Sequence, residues 1–144
     1  MKTIYEDDNV IVRASPISGL GVFATRDVFK GALVASWEHR RLLSEKDHAL
    51  LTSAEKSYCT KIRGVYEMLP IPARYINHSC EPNVEARESG DVAIQNIASG
   101  EEITADYALE YPPGYRLNCR CGKPTCRKIV MGINSNSKGL KHGV

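Results

Sequence analysis

Three thiols crowd into the segment Cys119-Arg120-Cys121-Gly122-Lys123-Pro124-Thr125-Cys126, and a fourth, Cys80, stands far upstream in the middle of the chain. Four cysteines are the set that a structural zinc ion takes. The spacing therefore predicts a split metal site whose closure brings the C-terminal segment back onto the centre of the molecule. The five cysteines are an odd number, and the tight C-x-C-x4-C cluster reads as metal rather than as disulfides. Cys59 is left over. It falls in a stretch with a helical pattern and reads as a small buried hydrophobe.

The upstream half of that site lies in Arg74-Tyr75-Ile76-Asn77-His78-Ser79-Cys80-Glu81-Pro82-Asn83. An amide, an imidazole, a hydroxyl and a thiol follow one another from Asn77 to Cys80. They match neither the alternation of a strand nor the spacing of a helix face, so they need a reason other than solvation. Pro82 fixes its own φ and biases Glu81 to an extended conformation.

At 144 residues the chain reads as one domain with a real core, and 42% hydrophobic and 25% charged residues are ordinary globular values. The net charge of +2 neither demands nor excludes nucleic acid, and no block of like charges marks a basic arm. No apolar run is long enough to span a membrane, and Met1 to Asp8 lacks a signal-peptide core. An intracellular protein is expected, cytoplasmic or nuclear.

Along the chain, the sequence predicts strands over 9–13, 22–25, 32–37 and 64–69. Gly19 and Gly21 bracket Leu20 in a loop, where missing side chains allow close backbone approach. Ser44-Glu45-Lys46-Asp47 is a helix start, with Leu50, Leu51, Ala54 and Tyr58 as the apolar face of one helical insertion reaching about Ile62. Val84–Arg87 and Val92–Ile97 flank Ser89-Gly90-Asp91 as a hairpin, and residues 99–102 turn into a further strand over 103–107. A mostly-β domain results. Residues 133–144 are polar and small and read as a flexible tail.

The order G-L-G, R-Y-I-N-H-S-C-E-P-N, G-E-E-I-T-A-D-Y, C-R-C-G-K-P-T-C resembles the SET-domain protein lysine methyltransferases with a post-SET zinc segment. The resemblance runs from about Asn9 to Met131 and is weakest over 38–73. It implies the SET-domain (β-clip) fold, mostly β, of small sheets with a knot-like core. The SET domain would span 8–115 and the zinc segment 116–132. It also implies S-adenosylmethionine as methyl donor, a lysine-bearing protein or peptide as partner and one structural zinc ion. No membrane and no direct nucleic-acid contact are expected, and the oligomeric state is open.

Carried onto this sequence, the resemblance makes Tyr107 the catalytic tyrosine. Gly19, Leu20, Gly21, Arg74, Asn77 and His78, with Tyr107, become the cofactor-binding set, and Cys80, Cys119, Cys121 and Cys126 the zinc ligands. Arg74 and Glu102 match a supporting ion pair, and Ile129, Val130 and Met131 would complete a wall of the lysine channel. Two positions depart from the pattern. Ala105 replaces an aromatic residue two positions before the tyrosine, with Tyr111 and Tyr115 as candidate substitutes, and Trp37 stands where many members have a second active-site tyrosine. These departures leave a catalytically silent peptide-binding module as one alternative to an enzyme, and the cysteine cluster leaves a zinc-stabilised interaction or nucleic-acid module as another. Intact Asn77, His78 and Tyr107 favour the enzyme.

Overall fold

The computed structural model describes residues 3–62 and 65–134. The β-branched N-terminal run forms a meander of β1 (Tyr5–Glu6), β2 (Val10–Ala14) and β3 (Leu20–Ala24), in which Val12 faces Val22 and Ile11 faces Phe23. Val10, Val12 and Val22 are fully buried, and the Arg13 guanidinium lies 3.7 Å over the Phe23 ring. Each buried valine stabilises the fold by about 1.5–3 kcal/mol relative to an exposed one. β4 (Leu33–Ser36) leads through Trp37 to β5 (Arg41–Leu43).

The helical insertion differs from the single helix that the sequence predicts. Two short helices form, α1 (Glu45–Ala49) and α2 (Ser53–Lys56), and neither buries a residue. The reason is capping. Ser44 with Asp47, and Thr52 with Glu55, each close a complete capping box, so the chain starts a helix twice. Thr52 must be extended to cap the second helix, which ends the first; Leu50 is consequently 82% exposed rather than part of an apolar face. Cys59 begins β6 (Cys59–Ile62), a strand and not a helix, which pairs with β7 (Val65–Met68). Residue 64, expected to open that strand, lies outside the described residues.

The centre of the molecule is built from β8 (Asn77–His78), β9 (Val84–Arg87), β10 (Gly90–Ala93) and β11 (Glu102–Ala105). β9 and β10 form the expected hairpin, but β10 starts at Gly90, whose positive φ of 148° suits only glycine. A Cβ there would lie 2.1 Å from the Ala35 carbonyl oxygen on the neighbouring β4. β8 joins the first sheet in the order β1-β2-β3-β11-β8 and runs parallel to β11, with Thr104 beside Asn77 and Ala105 beside His78. Asn83 locks the crossing. Its backbone N–H donates to the Thr104 carbonyl at 3.1 Å, its side-chain Nδ2 to the Glu102 carbonyl at 2.8 Å, and its Oδ1 accepts from the Thr104 N–H at 2.9 Å.

The end of the chain folds back as β12 (Arg116–Asn118) and β13 (Ile129–Met131), an antiparallel pair. Val130 is fully buried, whereas Ile129 and Met131 are exposed. Ile133 N–H donates to the Ala108 carbonyl and Asn134 N–H to the Tyr111 carbonyl, pinning both; residues 135–144 lie outside the described residues. No helix among the described residues is long and apolar enough to cross a membrane.

Candidate active site and metal centre

The Sγ atoms of Cys80, Cys119, Cys121 and Cys126 all lie within 4.8 Å of one another, and Cys80 and Cys119 are 3.8 Å apart. Four sulfurs at about 2.3 Å from one zinc ion stand about 3.8 Å from each other, so this donor set fits a closed tetrahedral site. The surroundings supply positive charge and donors. Arg127 directs its backbone N–H and its Nε to Cys80 Sγ, each at 3.4 Å, and Cys121 N–H reaches Cys119 Sγ at 3.4 Å. Thr125 Oγ1 donates to Glu81 Oε2 at 2.6 Å, a second tie between the segment and the centre.

A cleft of about 990 Å³ runs beside this cluster. Among its lining are residues 17–20, 73–78, 111–115 and 117–120, together with Tyr107. Asn77 reaches it from the end of the parallel β8–β11 pair. Its amide nitrogen donates to the Ser18 carbonyl at 3.0 Å, the Leu20 carbonyl at 2.9 Å and Glu102 Oε1 at 3.0 Å. Three acceptors around one nitrogen fix the amide's orientation and leave Oδ1 as the acceptor available to a ligand.

The Glu102 carboxylate is therefore a brace for Asn77. Ser15 Oγ donates to the same Oε1 at 2.8 Å. The expected Arg74–Glu102 pair does not form, because Glu102 is already engaged by these neutral donors and Arg74 Nε donates instead to the Leu69 carbonyl at 2.9 Å. Arg74 does line the cleft. Gly21 does not; it packs behind Glu102, where an added Cβ would lie 2.3 Å from Oε1 and 2.8 Å from Ser15 Cβ. Gly19 and Leu20 line the cleft. Gly21→Ala should displace the Glu102 carboxylate, free the Asn77 amide to rotate and lower stability by about 1–3 kcal/mol. Thermal unfolding beside ligand-affinity measurement checks this, and an unchanged protein would show that the brace is not needed.

Tyr107 follows β11 after Asp106, whose side chain accepts from the Ala108 N–H at 3.0 Å. The Tyr107 hydroxyl donates to the Ile76 carbonyl, and its backbone N–H donates to His78 Nδ1 at 3.0 Å. The second contact makes Nδ1 an acceptor and places the ring proton on Nε2, which lies 3.4 Å from Cys80 Sγ. Burial lowers the His78 pKa, so the ring is neutral, and Asp106 at 3.7 Å pairs with Arg127 at 2.9 Å instead. Burial, then the neighbouring Tyr111, holds the Tyr107 phenol well above its ordinary pKa. Tyr107, Tyr111 and Tyr115 form a run of rings with centroids 5.3 Å and 4.1 Å apart.

Both departures from the family pattern sit in the core. Trp37 is fully buried with Nε1 donating to Asp91 Oδ2 at 2.8 Å, and Ala105 belongs to the same apolar cluster. Neither lines the cleft, and neither do Ile129, Val130 or Met131; the zinc segment contributes Leu117 to Arg120 in their place. Sequence reasoning missed Ser15, Ser18 and the Asp106–Arg127 pair. Their roles depend on the loop geometry, and no local spacing signals them.

A SET domain family model matches residues 19–108. The chain is 32% identical over 143 residues to "Histone-lysine N-methyltransferase trr" of Drosophila melanogaster and 33% identical over 143 residues to "Histone-lysine N-methyltransferase 2D" of Homo sapiens. Each alignment covers 84% of this chain but only 6% and 2% of those relatives' own length. A solved Plasmodium falciparum structure, named there a candidate histone methyltransferase, superposes with a TM-score of 0.52 at 19% identity. That superposition covers 71% of this chain and 95% of the other. At that identity the likeness shows the fold.

Proposed function

Because this chain belongs to the SET-domain family, we propose that it transfers a methyl group from S-adenosylmethionine to the side-chain amine of a protein lysine. The observation that carries the reading is the meeting of Tyr107 and Asn77 at one cleft, held there by the parallel β8–β11 pair. S-adenosylmethionine supplies a sulfonium-bound methyl group open to in-line displacement. A lysine amine, neutral after giving one proton to solvent water, would direct its lone pair at that methyl carbon; the carbon–sulfur pair would leave with sulfur as a neutral thioether, and the methylated nitrogen would take up the positive charge.

The protein's part is alignment and desolvation. Asn77 Oδ1 is placed to accept from an ammonium group such as the amino-acid end of the donor. Gly19 and Leu20 offer backbone without obstruction, and Arg74 lines the same cleft. The Tyr107 hydroxyl donates a hydrogen bond to the Ile76 carbonyl, which leaves its lone pairs for the reacting centre. Its raised pKa suits an orienting group and not a base. Free lysine, near pKa 10.4, is almost wholly protonated at neutral pH, and the walls of Tyr107, Tyr111 and Tyr115 disfavour the charged form. We assign those rings, rather than Ala105, the control of how many methyl groups fit. Cys80, Cys119, Cys121 and Cys126 would hold a zinc ion of structural role.

A histone or another lysine-rich basic protein is the proposed substrate, supported by the names of the relatives. Zinc-loaded protein incubated with S-adenosylmethionine and a panel of basic proteins should yield lysine-localised methylation, read by peptide mass spectrometry. Asn77→Ala should remove it and weaken donor binding. Donor binding without any methyl product would favour a silent peptide-binding module, and absence of donor binding would overturn the reading.

A further inference from the structure

The small net charge of +2 hides a division of the chain. From residue 111 onward the sequence contains Arg116, Arg120, Lys123, Arg127, Lys128, Lys138 and Lys141 and no aspartate or glutamate. All 17 acidic residues lie in 1–110, with the other 12 of the 19 basic ones. A body carrying excess negative charge thus bears a C-terminal segment whose charged side chains, the thiolates of the proposed zinc site apart, are all positive.

The fold gathers the described part of that charge on one small knob. The four clustered sulfurs close the loop from Cys119 to Cys126, and the β12–β13 pair sets Asn118 opposite Ile129 at its base. Arg116 is three residues before the loop and Lys128 two after it, so the basic Cα atoms fall within roughly 20 Å. Arg116, Arg120, Lys123 and Lys128 are all exposed, and none forms an ion pair among the described residues. Arg127 is spent on Asp106 and Cys80. Lys128 sits in the left-handed region at φ 66°, where its carbonyl accepts from Cys119 N–H at 2.7 Å.

We propose that this knob binds the sugar–phosphate backbone of duplex DNA, without regard to base sequence. A duplex presents one phosphate charge per about 1.7 Å of axis, so several fall within the knob's reach. Residues 116–134 contain no aromatic side chain, and the neighbouring Tyr115 is already stacked on Tyr111, so the knob itself offers no stacking platform of the kind single strands use, which favours the duplex. The knob borders the cleft through Arg120. A basic protein attracted to the acidic body could therefore be engaged while it is itself bound to DNA. The inference does not depend on methyl transfer, because it rests on charge and exposure alone.

Fluorescence anisotropy of the zinc-loaded protein with two labelled duplexes of unrelated sequence tests it. Both should bind alike, with affinity falling about 100-fold between 50 and 200 mM salt. The triple variant Arg116→Gln, Lys123→Gln, Lys128→Gln should bind at least about tenfold more weakly at 50 mM and lose about three from the slope of log K against log salt. Its zinc content and thermal midpoint should match the parent's, and restoring Lys123 as arginine should recover part of the slope. Absence of duplex binding by the parent at 50 mM overturns the proposal, as does a triple variant that binds like the parent. Polyglutamate that displaces the duplex as well as unlabelled DNA does would point instead to an acidic protein.

Discussion

Cys80→Ser should lose the bound zinc, release residues 116–134 to protease and lower methyl transfer by at least about 100-fold. Apart from buried Val130 and the backbone hydrogen bonds of Ile133 and Asn134, a small strand pair is the segment's main support. β12 and β13 have three residues each, and an isolated pair of this size is marginal in water. Structural zinc supplies on the order of 10–16 kcal/mol in small peptide sites, so metal binding and folding of the segment are one equilibrium. The segment also provides part of the cleft wall, Leu117 to Arg120. Cys80 reaches the reacting centre more directly still. It lies 3.4 Å from His78 Nε2, and the opposite nitrogen of that ring accepts the Tyr107 N–H at 3.0 Å. Loss of the metal should therefore be felt at the tyrosine. Zinc analysis, limited proteolysis and the methylation rate report the three effects, and Cys59→Ser, outside the cluster, should keep its zinc. A Cys80→Ser protein that methylates like the parent would refute the coupling.

How much of this was written locally in the chain varies with the physics involved. The metal cluster was legible because cysteine chemistry restricts its own partners: four thiols in that spacing have few other uses, and they converge. Asn77 to Cys80 was legible because its polar run fits no amphipathic period. The insertion was misread because a capping box is as short as the helices here, and the second box at Thr52 outweighed the apolar spacing of Leu50, Leu51 and Ala54. The Arg74–Glu102 pair was misread for another reason. The family resemblance implies a pair there, yet the carboxylate is claimed by Asn77 and Ser15, whose approach depends on the loop ahead of β3. Gly21 belongs with them, since its missing side chain serves that carboxylate and not an open face. The basic knob was hidden by averaging, because a single net charge sums two regions of opposite sign.

Tyr107→Phe tests the proposed chemistry at its centre, and kcat should fall by about 100- to 1000-fold while donor affinity changes little. The substitution keeps the ring, its packing against Tyr111 and the backbone N–H that His78 accepts. What it removes is the hydroxyl: the donor to the Ile76 carbonyl and, in the proposed mechanism, the lone pairs that face the reacting nitrogen and methyl group. A loss confined to kcat would mark an interaction made in the transition state, whereas a loss confined to KM would mark simple binding. Stability should drop by about 1 kcal/mol as the Ile76 carbonyl loses its partner. The pH profile separates orientation from base catalysis. The pKa of Tyr107 is raised by burial, so the phenol is protonated throughout the neutral range, and the rate should rise with pH as the substrate amine loses its proton. Parent and Tyr107→Phe should therefore give curves of the same shape, displaced in height. A curve that loses its rising limb in the variant would make Tyr107 the base, and a kcat equal to the parent's would remove it from the reaction.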